Sequence, residues 1–290
     1  MTAPTDRDLN GDVATNRSRL AQVRLGGLVA APSLNQVVDP SGRLVSRPGQ
    51  GGMVIGVGLG EQATSWESDH LEPGATLNHP DPAANRALQV LACVGNVATV
   101  RTGPAAGLRG AVYGKHGGVL VAFPDHTADI IAPGDHVTID TIGVGLRIND
   151  EPEVYFHSCA PNILDRILRG RTSDGRLRVR VRTEMPREAA AAGIGMPSNA
   201  FNIDLDVRHL GDAAGRIAFG DVVLLRDHDH RFGRQHRLGW VAVGVVAHGR
   251  SVGGGHGVGM TTLLTAPVDR LEIELTDDAS LAQPLTAATS

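Results

Sequence analysis

Between about residues 20 and 276 the chain alternates apolar with polar positions or gathers valine-rich runs of four to eight, and few stretches carry helical spacing. This pattern predicts strands over Val97–Arg101, Val119–Phe123, His136–Thr141, Leu177–Arg182, Ile203–Asp206, Asp221–Arg226, Trp240–Ala247, Thr261–Thr265 and Arg270–Leu275. Met53–Leu59, which follows the sharp loop Arg47-Pro-Gly-Gln-Gly-Gly52, reads as one more. Trp240–Ala247 is apolar nearly throughout, as expected of a strand covered on both faces, so His248 at its end should emerge from the middle of the molecule.

Helices are fewer. Asp81-Pro82 supplies an N-cap and a first-turn proline for Ala83–Leu91. Pro161–Gly170 carries apolar residues at i, i+3 and i+4 and a glycine stop, and Pro186–Ala192 ends at Gly193. The expected class is mainly β (α+β), a compact barrel-like or sandwich-like body with about three short helices. The run Val97–Val112, with Gly103, Gly107 and Gly110 at turn positions, resembles the KOW motif of SH3-like barrels and implies an SH3-like subregion at about residues 93–123. A single domain is expected over 19–276, with poorly ordered polar tails at 1–18 and 277–290.

Composition narrows the functional classes. Of 290 residues 41% are hydrophobic but only 3% aromatic, so the core must be built from Val, Leu, Ile and Ala. A net charge of −4 gives no general attraction to nucleic acid or an anionic membrane, and neither is expected as a partner. No apolar run approaches the ~20 residues that span a bilayer, and no signal-peptide pattern opens the chain, so the cytoplasm is the expected compartment. Cys93 and Cys159 belong to no C-x-x-C pattern and read as buried thiols. Valine-rich edges make a homo-oligomer the expected assembly.

The candidate chemistry sits in glycine- and histidine-bearing segments. Asp69, His70 and Glu72 pack three metal or proton-transfer groups into four residues, although a solvated acidic turn has the same composition. Tyr113-Gly-Lys-His-Gly-Gly118 offers Lys115 and His116 as acid–base groups between glycines that admit a ligand to the backbone. In Asp227-His-Asp-His230, His228 and His230 share one face of an extended chain. They form a candidate metal pair with Asp229, or else an exposed hairpin tip. The glycine loop from His248 to Gly259 carries Arg250 and His256, and its backbone amides could hold an oxyanion. It lacks the Lys-Ser or Lys-Thr of a phosphate loop, and no nucleotide cofactor is expected.

Taken together, Pro48-Gly-Gln-Gly-Gly52, Ser68-Asp-His-Leu-Glu-Pro-Gly74, Cys93-Val-Gly-Asn96, Gly114-Lys-His-Gly-Gly118, Gly233-Arg234 and Gly255-His-Gly-Val-Gly259 resemble a prokaryotic family known as domain of unknown function 4438. They span about residues 48–265. The chain departs from the family pattern at Ala247-His-Gly-Arg250, where no acidic residue follows the histidine. The family name implies no reaction.

Residue types therefore carry the functional expectation. It is a small-molecule hydrolase of an amide, lactam or similar C–N bond, using Asp69, His70, Lys115, His116 and His256, with Arg250, Arg234 and Asn96 binding substrate. A divalent Zn, Mn or Fe ion is a possible cofactor, with His228, His230 and Asp229 as its ligands. Two alternatives stay open: a metal-independent lyase or isomerase working through His and Lys, and a ligand- or RNA-binding module on the KOW-like barrel.

Overall fold

The computed structural model of the protein describes residues 7–8, 13–34, 36–39, 41–190, 204–207, 217–251 and 257–283. It is mainly β. Six strands, β1 (Val23–Val29), β2 (Gly74–Asn78), β3 (Val97–Val100), β4 (Arg109–Lys115), β5 (Val119–Ala122) and β6 (His136–Thr141), form a closed antiparallel barrel in the order β5-β4-β3-β6-β1-β2, with β2 pairing back onto β5. Closure leaves these strands no free edge. The hairpin read as KOW-like is β3–β4, two adjacent staves of this barrel.

Alternation explains how the barrel fills. In β6, Val137 and Ile139 point inward while His136 and Asp140 are exposed, and Ala98 and Val100 of β3 repeat the period. Their interior cluster includes Val29, Leu77, Val112 and Val121, with Leu88 of helix α1 (Pro82–Leu91) packed against it. That helix starts as its sequence implies, with Asp81 accepting from the Ala84 amide at 2.8 Å.

A second, six-stranded sheet covers one side of the barrel. Its long strands are β8 (Val222–Asp229), β9 (Gln235–His248) and β10 (Val258–Pro267), antiparallel in that order. β7 (Asp204–Val207) and Tyr155–Phe156 pair with β10, and Thr183–Met185 runs parallel to β8. β9 is buried from Trp240 to His248, the two-sided burial its apolar run predicts. The contact between the barrel and this sheet is close: a Cβ at Gly114 of β4 would fall 2.6 Å from the Ala247 side chain. β4 and β5 thus bury both faces, which is why they lose the alternation of the other staves. A third sheet joins Leu168–Arg171, Leu177–Val181 and Leu271–Leu275.

Several expectations are corrected. Pro161–Gly170 is not one helix: a 3-10 turn at Pro161–Ile163 and one α-turn at Leu164–Ile167 give way to extended chain, because Leu168 pairs with Val179. Pairing across the sheet overrides the local apolar spacing. The third helix shrinks to a 3-10 turn at Arg187–Ala189, with residues 191–192 outside the described residues. Met53–Leu59 keeps strand structure only at Met53–Val54. The tails are shorter than read, since Val13 is buried at one end while Ala279 and Leu281 are fully buried at the other, where the Leu281 amide donates to Gly220 O. No helix among the described residues is long and apolar enough to cross a membrane.

The close contact at Gly114 generates a test. Gly114→Ala should cost about 1–3 kcal/mol by overpacking against Ala247, read as a lower urea midpoint. An unchanged midpoint would mean that barrel and sheet can separate freely at this point.

Candidate functional site

Three segments far apart in sequence meet where the barrel faces the second sheet. Residues 55–73 form a loop closed against the preceding turn by the Asp69 amide donating to Pro48 O at 2.9 Å, and its end docks on the outgoing end of β9 through the His70 amide to Arg250 O at 3.2 Å and the Gly249 amide to Leu71 O at 2.8 Å. His70 sits in this loop with φ +50, a conformation non-glycine residues adopt only where the surroundings impose it. His116 follows the last residue of β4, and His248 is the last residue of β9.

These three histidines form one group. The ring centroids of His116 and His248 are 4.0 Å apart, those of His70 and His116 5.0 Å, and those of His70 and His248 5.2 Å. One ring nitrogen from each lies within 4.8 Å of the other two.

The neighbours of His248 and His116 fix which nitrogen those two rings offer. His248 Nδ1 is 2.8 Å from Gly249 O, and a carbonyl can only accept, so Nδ1 carries the proton and Nε2 is bare. His116 Nδ1 donates to Glu72 Oε1 at 2.6 Å, again leaving Nε2. Glu72 is almost fully buried and is held in turn by the Gly51 amide at 2.9 Å and by the Thr76 hydroxyl. His70 Nδ1 lies 2.9 Å from Asp69 Oδ1. His116 and His248 thus each have an oxygen behind the ring and a lone pair in front, the arrangement of a histidine prepared to bind a metal ion. Burial, together with His248 and His116 nearby, lowers the His70 pKa and favours the neutral ring, against the opposing pull of Asp69 and Asp206.

The remaining candidates are dispersed. Lys115 is fully buried in β4, its amide donating to Thr261 Oγ1 at 2.9 Å, and burial brings its ammonium down to about 8, partly offset by Cys93. Asn96 shapes a turn, accepting from the Cys93 amide and donating to Ile142 O, both at 2.8 Å. Arg250 carries His70 through its backbone, and its buried Nε has no hydrogen-bond partner among the described residues. The Arg234 Nε is in the same condition, and its charge reaches His230 rather than the three-histidine group. His256 lies outside the described residues.

His228 and His230 form a separate buried pair, His230 Nε2 being 3.3 Å from His228 Nδ1 while its Nδ1 meets Thr262 Oγ1 at 2.8 Å. Asp229 faces elsewhere, in ion pairs with Arg231 at 2.8 Å and Arg237 at 3.0 Å. A cleft of about 200 Å³ lined by Met53, Val57, Glu61, Pro73 and Phe123 includes none of the three grouped histidines.

Sequence inspection picks out His70 and His116 but gives His248 no role, although it predicts that His248 leaves a buried strand. The signal available was that prediction combined with the glycine-rich sequence that follows.

Comparison with known proteins agrees with the motifs. The model of Domain of unknown function (DUF4438), N-terminal, matches residues 37–165, and that of Domain of unknown function (DUF4438), C-terminal, matches 167–285. The chain belongs to this family. It is also similar to the crystal structure of TM1086, with 30% identity and a TM-score of 0.88 over 95% of this chain and 100% of that one. No curated protein matches the sequence. The six-stranded barrel and the second sheet are therefore seen here in a DUF4438 member.

The separate pair predicts a pH dependence. Burial and His236 push His228 down to about 4, and His230 moves the same way. An unfolded imidazole, near 6.5, takes up its proton first, so this contribution to stability is complete above pH ~6.5 and is lost as pH falls toward 4. Urea unfolding should show stability declining across that window, with a shallower decline in His228→Asn. Equal slopes in the two proteins would contradict the assignment.

Proposed function

We propose that this DUF4438 protein is a metal-dependent enzyme, a hydrolase of a small polar substrate, with amides and lactams the first C–N bonds to examine. One observation carries the reading: three buried or half-buried imidazoles each place a ring nitrogen within 4.8 Å of the other two, and hydrogen bonds from Nδ1 to oxygen orient His116 and His248. Three protein nitrogens with coordination positions left over is the pattern of catalytic rather than structural metal sites.

Neutral imidazoles suit Zn, Fe and related divalent ions. Such an ion would supply an activated water and polarise a substrate carbonyl. The chain's own residues would divide the remaining work. Glu72 and the Gly249 carbonyl hold His116 and His248 with Nε2 forward, and the left-handed backbone at His70 aims the third ring. Arg250, a half-buried residue whose carbonyl accepts from the His70 amide, would hold an anionic group on the substrate.

Purified without an affinity tag, the protein should carry near-stoichiometric divalent metal by elemental mass spectrometry. His116→Ala and His248→Ala should lose it while remaining folded by circular dichroism. Glu72→Gln, which keeps the shape but weakens the acceptor behind His116, should reduce metal affinity roughly 10–100-fold. Metal retained in full by both alanine variants would exclude this site.

A further inference from the structure

One acidic side chain reaches this group from a strand that the sequence motifs do not touch. Asp206 lies in β7, which pairs antiparallel with β10, and the register sets Asp206 opposite Gly259. On the other side of β10, Gly259 is opposite His248 of β9. Asp206, Gly259 and His248 thus form one row across three adjacent strands, and residues in such a row project from the same face of the sheet.

The middle position has to be empty. A Cβ at Gly259 would lie 1.7 Å from His248 Nε2, so any side chain there would occupy the space of the imidazole. With glycine, the His248 ring lies across β10 toward β7, and its Nε2 comes within 3.6 Å of Asp206 Oδ1. This is the nitrogen left bare by the Gly249 contact, so the carboxylate meets the forward side of the ring and not its supported side. Asp206 also acts electrostatically on His70, which places it beside two of the three histidines.

From this row we infer that Asp206 is a fourth protein ligand of the same metal site, making the donor set three imidazole nitrogens and one carboxylate oxygen. The inference rests on the metal reading proposed above. The 3.6 Å separation is near the ~3.3 Å edge expected between neighbouring donors around an ion with 2.0–2.1 Å bonds. The chemistry agrees with the geometry. Three neutral imidazoles leave both charges of a divalent ion uncompensated in a largely buried place, and one anionic ligand removes half of that excess. A hard oxygen beside three nitrogens also moves the preference toward ions that accept five or six ligands, Mn and Fe among them, so positions for water and substrate remain.

Co²⁺ is the probe for the test, because its visible absorption reports the donor set without any substrate. Chelator-treated wild-type protein, Asp206→Asn and Asp206→Glu, each checked for fold by circular dichroism, would be titrated with Co²⁺ in competition with a chromophoric chelator. The expected result is a wild-type band, affinity at least roughly 100-fold weaker with an altered band in Asp206→Asn, and a smaller loss in Asp206→Glu. Wild-type protein that takes up Co²⁺, with Asp206→Asn matching its affinity and spectrum, would overturn the role of Asp206 and leave the three-histidine site standing. Should Asp206→Asn not fold, Asp206→Glu with wild-type affinity and spectrum would overturn it equally. Wild-type protein that takes up no Co²⁺ would overturn both readings.

Discussion

Three imidazoles can share one small, mostly buried space only while they stay neutral and only while something turns their lone pairs inward. Burial favours the neutral ring at His70 against the pull of Asp69, while orientation comes from Glu72 behind His116 and the Gly249 carbonyl behind His248. Much of the fold around the site serves those supports. Glu72 is anchored by Gly51 and Thr76, and Thr76 belongs to the barrel strand β2, so the orientation of a catalytic candidate is tied to barrel closure. The loop carrying Asp69 and His70 is tied to the end of β9, and β9 presses on β4 at Gly114. Barrel, loop and sheet each deliver one histidine, and no one of them makes a site alone.

Glycine acts here through the volume it leaves out. At Gly114 the missing side chain lets the barrel approach the second sheet, bringing His116 and His248 together. At Gly259 it lets the His248 ring lie over a neighbouring strand and meet Asp206.

The mainly β class was legible because the strand pattern is mostly local. Val137 and Ile139 alternate with exposed neighbours, and Trp240–Ala247 declares its two-sided burial. What was not legible depends on partners distant in sequence. Leu168 looks helical until Val179 claims it, and Ala279 and Leu281 look like tail until they pack by β8. The site divides in the same way. His70 and His116 stand in glycine-rich loops that attract notice. Asp206 is one acidic residue in an ordinary strand, and only the register across β10 gives it meaning. The Asp227–His230 cluster is the reverse case: dense in sequence, yet Asp229 is committed to arginines and the two histidines to each other and to Thr262.

A metal ion held by one ring nitrogen each of His70, His116 and His248 is tested most directly by anomalous diffraction. Crystals of the protein soaked in Mn²⁺ or Zn²⁺ should give a peak at that point, within bonding distance of all three nitrogens. Well-ordered crystals with no peak there, or with one at His228 and His230 instead, would contradict it.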